Sequence, residues 1–187
     1  MTPLFTSWVC DYCDNAPPQP SGGDALPVKD VYKPDGYPTG FNALDRITGT
    51  GGYPMGAISE LFGCDQTLTK CWHALVNHQL DLDRYTTEEL VEQVRQVLTV
   101  THVVAVRVYG GTGQLYVDLS DALYEHVTRS GTSAVVLFNS TVQSNGLSSV
   151  APKAVKIAAD LRIRLMANVA TVVKSRWGHT NLCCALP

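Results

Sequence analysis

The chain has 187 residues, of which 45% are hydrophobic and 17% charged, and a formal net charge of −3. That length can bury one core without disulfide or metal staples. No apolar run approaches the roughly eighteen residues of a membrane-spanning helix, and a pI of about 5.9 argues against a chain that is basic throughout.

The first residues, Met1 to Cys13 (MTPLFTSWVCDYC), lack a basic start and a long apolar stretch, so they do not read as a secretory signal. Residues 16–37 are rich in Pro, Gly and Asp and read as an extended arm or linker. The expected division is an N-terminal arm over 1–36, carrying the C-x-x-C pair Cys10 and Cys13, and a core over 37–187.

The most informative stretch runs from Thr39 to Cys71. A capping turn is followed by an amphipathic stretch, a Gly/Pro turn (Gly51-Gly52-Tyr53-Pro54-Met55-Gly56) and an apolar strand, Ala57 to Phe62. The place for a phosphate loop comes next. A working loop reads G-x-x-x-x-G-K-[ST]: the second Gly lets the backbone approach phosphate, the Lys reaches it, and the hydroxyl holds magnesium. Here Gly63 opens the loop, Leu68 stands at the second Gly, Thr69 at the Lys and Lys70 at the hydroxyl. Shifting the frame by one makes Lys70 the lysine but leaves Cys71 sulfur in place of a hard oxygen ligand. Gly63, Lys70 and Cys71 are thus the remnants of a degenerate loop. ATP hydrolysis is not expected.

Further along, Trp72 to Leu98 is helical in composition (TTEELVEQVRQVL), and no β-rich run is evident before Val103. Val103 to Val108 (VVAVRV) is a buried strand, Gly113 to Ser130 a helix with Leu115, Leu119, Leu123 and Val127 at four-residue spacing, and Ala134 to Ser140 (AVVLFNS) another buried strand. Residues 141–150 are polar and contain Gly. In Leu161 to Leu165, Arg162 and Arg164 alternate with apolar residues, the pattern of a strand with one charged face.

These elements, in this order, resemble the RecA recombinase family. That family's core opens with T-G-S, then L-D, then G-G-L-P-x-G; here they stand as Thr39-Gly40-Phe41, Leu44-Asp45 and Gly51 to Gly56. The resemblance covers about residues 37 to 177. It implies an α/β fold: a RecA-like sheet of the P-loop NTPase type, flanked by helices, here with an extended arm. It also implies three losses. The loop is degenerate. The family strand that corresponds to Val103–Val108 ends in a magnesium-binding acid, whereas this run carries Arg107 and no carboxylate. The strand bearing the water-activating glutamate is expected to be deleted. Asn139 matches the Asn of the family's Ile-Asn-Gln strand end, with Ser140 replacing the Gln, and the polar stretch with Asn145 resembles the second DNA-binding loop.

Charge is unevenly distributed. Residues 151–187 hold six basic residues (Lys153, Lys156, Arg162, Arg164, Lys174 and Arg176) against one acid, Asp160. With Asn139 and Asn145 these are candidate contacts to DNA or a protein partner. A solvated or docking face is favoured over a nucleic-acid footprint, because no aromatic residues interleave with the basic ones. Among the six cysteines, Cys10, Cys13, His179 and Cys183 (or its neighbour Cys184) form a candidate zinc set, with disulfide pairing as the alternative.

Two functions fit this reading. The first is a non-catalytic RecA-like component of a larger protein assembly, for example a bacteriophage virion. The second is a RecA-paralogue accessory factor that binds DNA or a recombinase. Both place the chain in the cytoplasm, or within a virion if phage-encoded, with no membrane partner and no required cofactor.

Overall fold

The computed structural model describes residues 33–63, 65–75, 79–81, 86–108, 113–140, 149, 151 and 153–187. Most of the expected arm, with Cys10 and Cys13, lies outside the described residues.

The chain enters through a short strand, β1 (Gly36–Tyr37), which pairs antiparallel with β2 (Tyr53–Pro54). Between them lies α1 (Asn42–Ile47). Its entry is set by Thr39, whose backbone N–H donates to Asp45 Oδ1 at 2.9 Å and whose hydroxyl oxygen accepts from Phe41 N at 3.2 Å. The expected capping turn is therefore built from the T-G-F and L-D residues themselves.

The main sheet has seven strands. In chain order these are β3 (Ala57–Gly63), β4 (Gln79–Asp81), β5 (Val103–Val108), β6 (Ala134–Ser140), β7 (Leu161–Met166), β8 (Val169–Ser175) and β9 (Cys183–Ala185). Their spatial order is β4-β5-β6-β3-β7-β8-β9. The first five neighbours pair in parallel; β8 and β9 are added antiparallel. All seven residues of β3 are buried, because it has a parallel neighbour on each side and helices on both faces. That is why its sequence is nearly continuous apolar residues instead of an alternation.

Helices cover the two faces. On one, Leu61, Ala105, Val136 and Ile163 pack with Leu44 of α1 and with Leu68, Cys71, Trp72 and Leu75 of the α2 region (helix Asp65–Ala74). On the other, Ile58, Val104, Val106, Val135 and Leu137 pack with Leu90, Val94 and Leu98 of α3 (Thr87–Val100), with Leu123 and Val127 of α4 (Gly113–Ser130), and with Val155 of α5 (Lys153–Ala158). Each such buried aliphatic side chain contributes about 1.5–3 kcal/mol relative to exposure. Helix α3 starts in a capping box: Glu89 N donates to Thr86 Oγ1 at 3.3 Å, and Thr86 N donates to Glu89 Oε2 at 2.8 Å.

One expectation is overturned. A strand does stand between α2 and α3: β4 pairs in parallel with β5, placing Asp81 beside Arg107. It has three residues and sits at the sheet edge, with Leu80 buried. A strand this short produces no apolar periodicity in the sequence.

Candidate functional site at the carboxyl ends of the parallel strands

In open parallel sheets, ligands bind beyond the carboxyl ends of the strands. Here that end is formed by Gly63, Asp81, Val108, Ser140 and Met166. The residues that would wrap a phosphate do not form an extended loop. Strand β3 ends at Gly63 and α2 begins at Asp65, so Gln66, Thr67 and Leu68 are already helical. The reason is local. Leu68, Cys71, Trp72 and Leu75 fall at the i, i+3, i+4, i+7 spacing of an apolar helix stripe, and all four are buried in the core. Leu68 is the first member of that stripe. Gly63 is required at the turn: its φ is +154°, and a Cβ there would collide with the Leu165 carbonyl of the neighbouring strand.

The two basic residues of this end serve other partners. Lys70 is exposed, and its Nζ donates to the Pro187 carbonyl at 2.7 Å and to Asn168 Oδ1 at 3.2 Å. Arg107, on β5, donates to Thr69 Oγ1 at 3.1 Å and lies over the Trp72 ring, 5.2 Å from its centre. Trp72 in turn meets Phe138 edge-on at 5.2 Å. Cys71 is fully buried in the same core cluster as Trp72 and Phe138, with Cys184 packed against that cluster. Burial, reinforced by Cys184 and opposed by Lys70, pushes its thiol up to about 12.

The sequence reading missed Glu60. It lies in the middle of β3 with a fully buried side chain. Its Oε1 accepts from Asn139 Nδ2 at 3.0 Å and its Oε2 from Arg162 Nε at 2.5 Å. The Arg162 guanidinium also lies over the Phe62 ring at 5.0 Å. A single acid inside an apolar strand was the available signal, since a buried carboxylate must be paired. Asn139 is buried as well, so its amide serves Glu60 and is not presented to an external partner.

The remaining candidate contacts divide. Lys174 Nζ donates to the carbonyls of Lys156, Ile157 and Ala159 at 3.2, 2.8 and 2.6 Å, closing the end of α5. Arg176 pairs with Asp160 at 3.7 Å. Lys153 is exposed, and Lys156 and Arg164 are half-buried, with no acidic partner among the described residues. Asn145 lies outside the described residues. Of the candidate zinc set, only His179, Cys183 and Cys184 are described, and no cluster of three or more metal-ligating side chains occurs among the described residues. No described helix is long and apolar enough to cross a membrane.

The strand order, with five parallel neighbours β4-β5-β6-β3-β7 and helices on both faces, defines a RecA-like fold. The chain is similar to the crystal structure of the RadB recombinase, with a TM-score of 0.54 and 14% identity, covering 78% of this chain and 93% of that one. At this identity the likeness shows the fold alone. No protein-family model matches the chain, and no curated protein matches it.

Proposed function

We propose that the chain is a RecA-like accessory protein of DNA recombination that acts by binding and not by ATP turnover. The observation that carries this reading is the replacement of a phosphate loop by helix: α2 starts two residues after Gly63. A phosphate site of this kind needs backbone N–H groups converging on a concave turn, a lysine aimed into it and an acid to hold magnesium. Lys70 instead donates to the Pro187 carbonyl, and β5 carries no carboxylate but Arg107, which donates to Thr69. The recombinational setting draws its support from the recombinase whose solved structure shares this fold. The reading calls for no cofactor, and its partners are nucleic acid and protein.

The test is a thermal melt with and without magnesium and ATP. A ligand present at a hundred times its Kd stabilises the native state by about 2.7 kcal/mol, so millimolar MgATP is expected to leave the melting temperature unchanged. A rise that requires both magnesium and ATP, or phosphate release abolished by Lys70→Ala, overturns the reading.

A second reading, a structural component of a larger assembly such as a virion, is favoured by one observation. Tyr124 of α4 and Ile157 of α5 are 45% and 66% exposed and line, with Ala158 and the acidic Asp121 and Asp160, a groove of about 440 Å³, a mixed apolar and acidic surface suited to a protein partner. Native mass measurement of the purified chain tests it: a defined oligomer that Ile157→Asp dissolves supports assembly, and a monomer at all concentrations removes self-assembly.

A further inference from the structure

At the opposite end of the sheet, the loop after α1 meets the loop between β8 and β9. The two backbones touch at glycines. Gly49 has φ +82°, and a Cβ on it would sit 2.9 Å from Gly178 Cα; a Cβ on Gly178 would sit 3.2 Å from the Thr48 carbonyl oxygen. The β8–β9 loop is held from within by Ser175, whose Oγ accepts from Trp177 N at 3.2 Å and Gly178 N at 2.9 Å. The groove between the loops has a volume of about 430 Å³ and is lined by Lys33, Arg46, Arg176, His179 and the Trp177 indole, with no acidic side chain among its described lining residues. Arg176 stands 5.8 Å from the centre of the Trp177 ring. Its acidic partner among the described residues, Asp160, is largely covered and does not line the groove.

Two features of this groove call for a ligand. Lys33 and Arg46, with no ion-pair partner among the described residues, gather in one concavity beside Arg176, which Asp160 meets at 3.7 Å, on a chain whose net charge is −3, and uncompensated cations brought together repel each other. The half-buried indole adds a flat apolar surface beside those charges. Cations that track phosphates, together with an aromatic platform for an unstacked base, are the two components of single-strand recognition. Arg176 and Trp177 are neighbours in the sequence, which corrects the reading that no aromatic residue stands among the basic ones; Lys33 and Arg46 join them from the start of the core.

We propose that this groove is a metal-independent site for a nucleoside phosphate, with phosphate against Lys33, Arg46 and Arg176 and the base on Trp177. The proposal rests on the binding role given above and places the ligand away from the remnant phosphate loop. Its ligand chemistry has two sources, a single-stranded nucleic acid or a free nucleotide, which the experiment separates.

The experiment is fluorescence anisotropy of the full chain at low salt in EDTA, with labelled oligodeoxythymidine in one arm and labelled AMP in the other. Binding of the oligomer alone assigns a strand site; binding of both with similar affinity assigns a mononucleotide site. In either case Trp177→Ala is expected to weaken binding roughly ten-fold. Lys33→Glu/Arg46→Glu, whose side chains have no ion-pair partner among the described residues, is expected to abolish it and, for the strand, to flatten its salt dependence. Arg129→Gln, on α4 and outside the groove, should leave binding unchanged. Circular dichroism melts confirm that each variant folds. No binding of either probe, or binding that survives the double charge reversal, overturns the groove. A chain that shows neither groove binding nor a MgATP effect refutes this site while leaving the absence of ATP turnover intact.

Discussion

Arg107 of β5 donates to Thr69 of α2 at 3.1 Å while its guanidinium covers Trp72. The pair ties the sheet to the helix without a ligand. Removing it is therefore a question of stability. Arg107→Ala is expected to cost about 2 kcal/mol, the sum of a charged hydrogen bond and a partly covered cation–π contact. Urea denaturation measures it, and Arg107→Lys should recover only part, because an ammonium cannot both reach the hydroxyl and lie flat on the indole.

The buried pair Glu60–Arg162 gives a sharper result. Glu60→Leu leaves Arg162 beside an apolar surface without its carboxylate and is expected to destabilise by about 3 kcal/mol. Glu60→Leu combined with Arg162→Leu removes both charges and should return most of that loss, since the desolvation of the pair opposes its attraction. Chemical denaturation of the two single variants and the double variant completes the cycle. Additive losses would show that the two residues do not act as a pair.

The start of α3 makes stability depend on pH. Glu89 is held below its ordinary value by the hydrogen bond from Thr86 N, with the Thr86 hydroxyl adding to it. A carboxylate depressed in the folded state stabilises above its unfolded value of 4.5, and that contribution is lost as pH falls through the lower folded value. The acid-side loss of stability is expected to be shallower in Glu89→Gln than in the parent chain, as read from melting temperatures taken from pH 6 down to pH 3. Identical slopes would remove the capping box from the acid response.

Cys71 should be chemically silent in the native protein. Its thiol is buried and raised to about 12, so almost none is thiolate at pH 8. Iodoacetamide at pH 8 is expected to leave Cys71 unmodified until urea is added, as peptide mass mapping would show. Native labelling at Cys71 would mean that α2 opens away from the sheet.

Much of this molecule was legible in one dimension. The β-branched runs at Val103–Val108 and Ala134–Ser140 and the helical spacing through Leu123 and Val127 appear where periodicity puts them, because burial of one face or two imposes that pattern directly on the chain. The T-G-F, L-D and Gly/Pro elements carried the fold resemblance, since turns constrain residue type at each position. The departures from the phosphate-loop pattern at Leu68, Thr69 and Lys70 were also visible, because that pattern specifies residue types at fixed spacing.

Other properties depended on the chain closing on itself. Whether Leu68 obstructs a loop or starts a helix stripe was decided by the core beneath α2. Whether Arg162, Lys174 and Arg176 form an open basic face was decided by Glu60, Asp160 and the carbonyls ending α5, the nearest of them more than ten residues away in sequence. The short edge strand β4 exists because β5 offers it a ladder, and the cationic groove exists because two glycines let distant loops touch. Sequence determines which residues prefer burial, turns or charge; only tertiary structure determines which charges meet, because pairing is a matter of distance in space and the intervening chain does not record it.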